Sequence, residues 1–525
     1  MGGILNDIEG WSYKSYGDAQ NEENIIVKSK DLRRIKKVDV SKRKRILLLN
    51  PKLRTTDFQV PHNGLAILAV ILKNRGHEVL VADYAFMYEE QDTDVSFFIK
   101  MFNPDVVGIS IYTANINEAN EMILRVHEFD PNIPIMVGGP HALLYFDLLQ
   151  KDKRIDYIFV GEAELTIIDV VEKAKKEKNP EVVWTKEVVD LNDIPFPDYR
   201  AFYRWESMTV YPIMTSRGCP YHCSFCAASS LCYRKWRPRK PEDCIRELEI
   251  AKETISPYLS VSIMDNTPTV DKERFYEFLD LFSKRIKIEV VPFSTRGDGV
   301  DDKLLTLLKK CGCHSLSIGV EHAHPEVFKL ITKGETIEQI EKACNLIKKH
   351  KMKLGLFFII GLPGDNLERT KESIRFYRKV KADGCNILSI IPYRHTAVRK
   401  WFEEHGAKLY NEMGRDAMNH IGFECIEPVV ETPDFTSEDR KKAYYMFLFE
   451  VAHSRLKLRK LPRIFAVAIK YNLYSDFFYW LPRGILRSLQ TTVKYLKSAL
   501  NIYRRQGFDQ LIKRYRYLQD RRVDR

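Results

Sequence analysis

Short apolar runs alternate with segments of helical spacing along most of this 525-residue sequence. The first apolar runs are RILLLN (45–50), HEVLVAD (77–83), PDVVGISI (104–111), IPIMVGG (133–139) and DYIFVGE (156–162). The helical segments between and after them are GLAILAVILKNRG (64–76), INEANEMILRVHEF (116–129) and AELTIIDVVEKAKK (163–176). Such runs predict buried parallel strands, because helices cover both faces of the sheet. Residues 45–185 are therefore predicted to form a Rossmann-like α/β domain.

A second α/β series follows a proline-bearing linker over 186–210. Its predicted strands are YPIMTSRG (211–218), LSVSIMDN (259–266), KIEVVPFST (287–295), HSLSIGVE (314–321), KLGLFFIIG (353–361) and GCNILSIIP (384–392). Six βα units predict a partial or closed (β/α) barrel over 211–395, whose chemistry would lie at the carboxyl ends of its strands. Residues 1–44 form a polar lead-in, and residues 396–525 are predicted to be mostly helical.

Length and composition indicate about three globular domains. The chain is 45% hydrophobic and 29% charged, which excludes disordered and fibrous classes. Neither a signal-peptide core nor a membrane-spanning apolar run is found, so the chain is expected to stay in the cytoplasm. Ten cysteines are too sparse for a disulfide scaffold, and five of them fall between Cys219 and Cys244. That cluster indicates metal or redox chemistry.

The basic character of the chain belongs to its C-terminal end. The net charge is +12, but residues 454–525 alone carry +14, so the rest sums to −2. Three functions suit this tail: docking on an anionic membrane, binding nucleic acid, or a helical cap with a basic outer face. The aromatic cluster FFYW (477–480) favours peripheral membrane contact over nucleic acid.

The cysteines of SRGCPYHCSFCAAS (216–229) have the spacing C-x3-C-x2-C, directly after the first barrel strand. Thiolates of Cys219, Cys223 and Cys226 can reach three irons of a 4Fe–4S cluster and leave the fourth iron open. The alternatives are an inert loop or a structural zinc site completed by Cys232 or Cys244, although zinc sites normally use paired C-x2-C ligands.

The motif GCPYHCSFCA resembles the signature of the radical S-adenosylmethionine (SAM) superfamily. The resemblance implies a cluster that receives an electron from a donor such as flavodoxin or ferredoxin and cleaves SAM to methionine and a 5′-deoxyadenosyl radical. It also implies SAM contacts at the ends of four successive strands, in MDNTPTVD (264–271), STRGD (294–298), GVEH (319–322) and GLPGD (361–365). The candidate SAM contacts are Asp265, Asn266, Arg296, Glu321, Gly361 and Pro363.

These strand-end residues also have simpler interpretations. An arginine such as Arg296 can be a solvated charge, and the Gly-Leu-Pro-Gly stretch (361–364) can be only a turn. Arg296 suits the SAM carboxylate, because a guanidinium binds a carboxylate with two hydrogen bonds. His322 and His324 could face a substrate, but single histidines are more often structural.

The front domain resembles that of cobalamin-binding radical SAM enzymes. Ser110 opens SIY at a strand end, and 25 residues separate this tripeptide from Gly138 and Gly139, as in loops that cradle the nucleotide tail of cobalamin. In the family, a histidine ligand for cobalt stands three residues before a glycine. Here Pro61 occupies that place and His62 is one residue out of register, so no histidine is expected on the lower cobalt face. The alternative is a Rossmann-like domain without a cofactor.

The resemblance implies a cobalamin-dependent radical SAM enzyme that methylates an unactivated carbon. The aromatic and basic C-terminal region suits a small-molecule or lipid-like substrate delivered from a membrane. A cyclase or rearrangement enzyme for porphyrin- or isoprenoid-like substrates is an alternative. A methylthiotransferase for tRNA is less favoured, because no cysteine precedes Cys219 to hold a second cluster. A non-catalytic corrinoid-binding or cluster-sensing protein is the third class.

Overall fold

The computed structural model describes residues 31–485 apart from 33–34, 36, 38–39, 53–59, 85–93, 186–187, 229–234, 257–258, 411–426, 452–460 and 484. Most of the predicted lead-in, Cys232 and residues 486–525 of the basic tail lie outside the described residues. The first sheet consists of β1 (Arg45–Asn50), β2 (Glu78–Asp83), β3 (Val106–Ser110), β4 (Ile135–Gly138), β5 (Tyr157–Val160) and β6 (Glu181–Trp184). Its strands are parallel, in the order β2-β1-β3-β4-β5-β6.

Helices cover both faces of this sheet. They are α1 (Asn63–Arg75), α2 (Val95–Phe102), α3 (Ile116–Phe129), α4 (Pro140–Leu149) and α5 (Ile167–Lys173). Alternate residues of β1 point to opposite faces: Leu47 and Leu49 join one core cluster with α2 to α4, whereas Ile46 and Leu48 join the other with α1 and α5. The predicted Rossmann-like architecture is confirmed, although strand β6 and helices α2 and α4 were not predicted.

The second series forms a partial barrel. Its strands are β7 (Val210–Ile213), β8 (Ser216–Arg217), β9 (Arg237–Pro238), β10 (Ser260–Ile263), β11 (Phe293–Thr295), β12 (Ser315–Glu321), β13 (Lys353–Ile360) and β14 (Gly384–Ser389). β7 pairs with β10, and β11 to β14 form a parallel sheet in chain order. A parallel bridge between Val261 and Val290 connects the two groups. The structure thus contains all six strands that the sequence predicts for the barrel. The short antiparallel pair β8–β9 flanks the cysteine motif.

Seven helices follow these strands: α6 (Pro241–Thr254), α7 (Lys272–Arg285), α8 (Asp302–Lys310), α9 (Pro325–Leu330), α10 (Ile337–Lys349), α11 (Leu367–Lys379) and α12 (Ala397–Glu404). Six of them begin after a side chain that accepts a hydrogen bond from the first turn. These capping residues are Asp271, Asp301, His324, Thr336, Asn366 and Thr396. Such caps satisfy amide groups that have no partner inside the helix, and so they set where each helix starts.

The C-terminal region contains the two-residue pair β15 (Lys408–Leu409) and β16 (Val430–Glu431), then α13 (Ser437–Val451), α14 (Leu461–Lys470) and a helix over 474–483. The aromatic cluster divides between core and surface. Phe477 and Trp480 are buried and pack near Phe449, whereas Phe478 is 61% exposed and Tyr479 51%. Among the described helices, none combines the length and apolar character needed to cross a bilayer.

Candidate functional site

The cysteine loop is the part of the chain between β8 and β9, of which residues 218–228 and 235–236 are described. Gly218 has a φ of +97°, which a residue with a side chain adopts only with strain. Cys219, Cys223 and Cys226 are partly exposed and form no disulfide. The Cys219 sulfur lies 3.5 Å from the hydroxyl of Thr267. Three partly accessible thiols on one loop are a donor set that fits an iron–sulfur cluster.

Other elements hold this loop between the second and third cysteines. The Ser224 amide donates to the carbonyl of Ile331 at 2.9 Å, and its hydroxyl donates to that of Leu330 at 3.1 Å. The Ser224 carbonyl accepts from the amide of Val398 at 2.9 Å. The loop is therefore fixed by segments that follow barrel strands β12 and β14.

The charge around Cys223 matters because iron binds the thiolate. Burial raises the pKa of the Cys223 thiol to about 12, and Cys226 adds to this. The cations of Lys333 and Arg296 act in the opposite direction. Lys333 and Arg296 thus favour the thiolate form of Cys223, although each cation is itself paired with carboxylates.

Asp265 and Asn266 lie beyond the end of β10 and contact the strand before the cysteines. The Asp265 carboxylate accepts from the Thr215 amide and hydroxyl at 2.6 Å each and from the Ser216 hydroxyl at 2.5 Å. Burial raises the pKa of Asp265, and those hydrogen bonds oppose the shift. Asn266 is exposed, and its side chain accepts from the Gly218 amide at 3.3 Å. Of the two, Asn266 retains more surface for a SAM contact.

Arg296 follows β11, and its guanidinium is already bonded. Its Nε and Nη2 donate to Asp298 at 3.0 and 2.7 Å, and Nη1 donates to the Lys333 carbonyl at 2.7 Å. The guanidinium carbon also lies 3.6 Å from the ring centre of Tyr221, inside the cysteine loop. Three of the five N–H groups of Arg296 are thus engaged, so Arg296 is not a solvated charge, and a carboxylate could use only the two that remain.

Glu321 ends β12 and turns back toward a buried lysine. Its φ is +64°, an unusual conformation for a residue with a side chain, and its carboxylate lies 3.2 Å from Lys333 Nζ. Lys333 also contacts Glu335 at 2.9 Å. Burial acts to lower the pKa of Lys333, but Glu321 and Glu335 outweigh it and raise the pKa. Glu321 is only partly buried and so remains able to meet a ligand.

Gly361 and Pro363 after β13 are buried beneath the C-terminal region. The Gly361 amide donates to Asp365 at 2.8 Å, and its carbonyl accepts from Arg440 at 3.0 Å. The other Asp365 oxygen lies 3.0 Å from His322 Nε2. His322 is 1% exposed, so it is a structural residue and does not face a substrate.

The front domain brings its predicted cofactor residues to one edge. Ser110 and Gly138 are register partners at the carboxyl ends of β3 and β4. Gly139 has a φ of +99°, and an added Cβ would lie 2.9 Å from the Ile111 carbonyl oxygen. Packing of the domain against itself therefore already requires a glycine at Gly139. The hydroxyl and the bare backbone at this edge fit the nucleotide tail of a cobalamin.

His62 lies at the same edge. Its Nδ1 accepts from the Leu65 amide at 3.1 Å and so caps α1. Its Nε2 lies 3.0 Å from the Ser110 hydroxyl and 3.4 Å from that of Tyr112. Burial lowers the pKa of His62 to about 4. The imidazole is therefore neutral near pH 7, and both of its nitrogens already contact groups of the front domain.

His141 gives this domain a predicted pH dependence. It is 1% exposed, hydrogen bonded to Thr113 at 3.1 Å and stacked on Tyr145. Burial, with a smaller contribution from Arg394, lowers its pKa from 6.5 to about 4. Folding therefore favours the neutral ring, and its stabilisation is complete above pH 6.5 and is lost as the pH falls toward 4.

We expect a loss of about 2 kcal/mol between pH 7 and pH 5 from His141 alone. In His141→Gln this part of the pH dependence should disappear, while His62 titrates in both proteins. Unfolding midpoints at pH 7 and pH 5 measure the difference. Equal pH dependence of the two proteins would contradict the prediction.

Ion pairs join the front domain to the cysteine loop and to the segment after β14. Arg217, two residues before Cys219, contacts Glu164 from the segment after β5 at 2.8 Å. Arg394, after β14, contacts Asp147 of α4 at 2.8 Å. Burial raises the pKa of the neighbouring Tyr393, and Tyr145 of α4 and Cys226 of the cysteine loop add to this.

Sequence reasoning missed Thr267, Lys333 and Tyr393. Thr267 stands inside the quoted MDNTPTVD segment, next to the chosen Asp265 and Asn266, so a broader reading of that segment would have included it. Lys333 and Tyr393 belong to no recognised motif. Cys244 is fully buried in the core, which argues against it as the fourth ligand of a zinc site. Cys232, the other candidate for that ligand, lies outside the described residues.

Comparisons with known proteins agree with the two-domain organisation. Residues 213–377 match the family model of the radical SAM superfamily, and residues 52–171 match that of the B12 binding domain. An uncharacterized methyltransferase of Pyrococcus horikoshii is 28% identical over 415 residues, which cover 74% of this chain and 87% of that protein. An anaerobic magnesium-protoporphyrin IX monomethyl ester cyclase of Rubrivivax gelatinosus is 25% identical over 397 residues, covering 70% of each chain.

A solved structure shares the fold. The cobalamin-dependent SAM radical enzyme OxsB, with aqua-cobalamin and SAM bound, superposes with a TM-score of 0.57 at 16% identity over 83% of this chain and 72% of that one. In this chain the match to the B12 binding domain precedes the match to the radical SAM superfamily. The chain therefore combines a B12 binding domain with a radical SAM domain, and its structural neighbours are cobalamin-dependent radical SAM enzymes.

Proposed function

We propose that this enzyme transfers a methyl group to an unactivated carbon of a small molecule. One observation carries the proposal: Glu164, which follows β5 at the carboxyl edge of the front domain's sheet, contacts Arg217, two residues before the first cysteine. A substrate between them could meet both a radical source and a methyl donor. The methyltransferase of Pyrococcus horikoshii supports the same reaction class.

In this proposal Cys219, Cys223 and Cys226 hold the cluster, and Asn266 and Glu321 are the SAM contacts with the most accessible surface. Arg296 and Lys333 place positive charge beside the cluster. Ser110, Gly138 and Gly139 form the cobalamin edge. When bound, the cluster supplies the electron that cleaves SAM, and cobalamin supplies the methyl group. We further propose a flavodoxin- or ferredoxin-type protein as the electron donor.

The test is anaerobic reconstitution with iron, sulfide and hydroxocobalamin, followed by reaction of candidate extracts with SAM carrying a deuterated methyl group. We expect bound corrinoid, 5′-deoxyadenosine, and a product heavier than its substrate by one labelled methyl group. A protein that binds iron but no corrinoid would overturn the proposal.

A cyclase is the second candidate, because the Rubrivivax gelatinosus relative catalyses ring formation. The same experiment separates the two reactions. A cyclase product would carry no deuterium from SAM, whereas a methylated product must carry it.

We also propose that the C-terminal helices contact an anionic membrane and that the substrate is lipid-like. Phe465, Ile469 and Phe478 are 39%, 49% and 61% exposed, and Lys470, which follows Ile469, is exposed and pairs with Glu438 at 3.1 Å. Exposed apolar groups flanked by basic residues suit an interface with anionic lipid. Sedimentation with phosphatidylglycerol vesicles, compared with phosphatidylcholine vesicles, tests this. Binding to neither would contradict it, and Phe478→Glu should weaken binding that is observed.

A further inference from the structure

The segment that follows β5 of the front domain carries two acidic residues. Both contact arginines of the β8–β9 pair, which flanks the cysteine loop. We propose that Glu162 and Glu164 are positioning residues that hold the cysteine loop in a set place against the cobalamin-binding domain. The consequence of this positioning, that the two cofactors act on one substrate, rests on the proposed function. The physical basis of the positioning is a set of contacts between described residues.

Arg217 is the first member of this contact. Its Nη1 lies 2.8 Å from Glu164 Oε1 and 3.1 Å from Glu162 Oε1, so one guanidinium nitrogen joins both carboxylates. Arg217 is separated from Cys219 only by Gly218. A shift of Arg217 would therefore be passed directly to the first cysteine.

Arg237 holds the other end of the loop to the same carboxylate. Its Nη1 donates to Glu162 Oε2 at 2.9 Å and to the Val189 carbonyl at 2.5 Å, and its Nη2 bonds Glu162 Oε1. The Val189 amide donates to Glu162 Oε2 at 2.9 Å. Because Arg217 and Arg237 are register partners in the β8–β9 pair, Glu162 joins the two arginines that flank the loop.

The network is shielded from solvent, which makes its geometry specific. The side chains of Arg217, Arg237, Glu162 and Glu164 are 14%, 13%, 12% and 8% exposed. Burial acts to raise the pKa of Glu162, but Arg237 and Arg217 outweigh it and lower the pKa to about 2. Charges removed from water tolerate few arrangements, because losing one partner leaves another uncompensated.

The barrel holds β8 from the opposite side. Asp265 accepts hydrogen bonds from Thr215 and Ser216, the two residues before Arg217. The strand that leads into the first cysteine is therefore fixed to the barrel by Asp265 and to the front domain by Glu164. This double attachment sets the position of the cysteine loop relative to both domains.

Glu162 and Glu164 could instead be cofactor ligands, since FVGEAE (159–164) stands near the cofactor edge in sequence. Their bonding argues against that. Both Glu162 oxygens accept hydrogen bonds, and Glu164 is 6% exposed and paired with Arg217. Carboxylates engaged in this way have little capacity left for a ligand.

The experiment compares the full-length, reconstituted wild-type enzyme with Glu164→Gln, Arg217→Gln and Arg217→Lys. Asp147→Asn is the matched control, because it breaks the other ion pair described between the front domain and the barrel, Asp147 with Arg394 at 2.8 Å. Glutamine keeps the size of the side chain but removes its charge. Lysine keeps the cation and can restore part of the contact.

The first readout is hydrogen exchange of the backbone amides at 215–219, which requires no turnover. We expect exchange about tenfold faster in Glu164→Gln and Arg217→Gln, as for the loss of one charge-assisted hydrogen bond. Arg217→Lys should lie between them and wild type, and Asp147→Asn should match wild type. Unchanged exchange in Glu164→Gln, or equal acceleration in Asp147→Asn, would overturn the proposal.

The second readout is the amount of product formed per 5′-deoxyadenosine. We expect Glu164→Gln to retain iron and corrinoid and to cleave SAM, while its product yield per 5′-deoxyadenosine falls about tenfold. If Glu164→Gln only lost iron, while the enzyme that kept its cofactors still formed the wild-type amount of product per 5′-deoxyadenosine, the proposed positioning role would be wrong. If wild type binds no corrinoid, the proposed function fails, and the exchange measurement still decides whether these carboxylates position the loop.

Discussion

Replacing Cys223 by alanine should abolish the iron–sulfur cluster and all cleavage of SAM. Three thiolates are the fewest that can hold a cubane while leaving one iron open, so two cannot retain it. Cys223 also occupies the centre of the loop, next to the bonded Ser224. Iron content, visible absorbance and 5′-deoxyadenosine after anaerobic reduction measure the effect, and all three should fall to the level of protein without iron.

Cys385→Ala is the control for this substitution. Cys385 is also partly exposed but lies on β14, away from the cysteine loop in sequence. It should retain iron and cleave SAM at the wild-type rate. If Cys223→Ala kept a full cluster, the assignment of the three cysteines would be wrong.

Replacing Gly361 by alanine should destabilise the barrel more than any other small substitution considered. Gly361 has a φ of +84°, and an added Cβ would overlap the Arg440 guanidinium, which is 2% exposed. Arg440 could move only by giving up its bonds to Gly361 and Phe435. Burial already lowers the pKa of Arg440 to about 10, so its few hydrogen bonds matter.

The expected cost is about 3 kcal/mol, the sum of left-handed backbone strain and overpacking. Gly406→Ala is the matched control: its φ is +64°, but an added Cβ would meet nothing within 4 Å. It should cost only about 1 kcal/mol. The change in unfolding free energy on chemical denaturation measures both variants. Equal costs would show that the Arg440 contact contributes nothing.

The strand-end segments show how far residue types alone predict a site. Asp265, Arg296 and Glu321 all lie at the ends of successive barrel strands, as the order of strands predicts. Their side chains, however, bond Thr215, Asp298 and Lys333. A strand end is encoded locally by its apolar run, whereas the partner of a charged side chain comes from a distant part of the chain. Their roles toward SAM stay predictions.

His322 illustrates the same difference. Its place after Glu321 made it a candidate to face a substrate, but a 3.0 Å contact with Asp365 assigns it to the support of β13. The partner lies 43 residues further along the chain. No local pattern could reveal that pairing, because it exists only when β12 and β13 are neighbours.

The cysteine spacing, the strand and helix order and the glycines at strand ends were readable directly from the sequence, because each depends on neighbours within a few residues. These patterns determined the two α/β domains and the family. Only the tertiary structure decided that Glu162 and Glu164 bond the arginines beside the cysteine loop, and that Arg440 covers Gly361. Such contacts depend on burial and distance between remote segments, which packing of the domains sets and the local sequence does not encode.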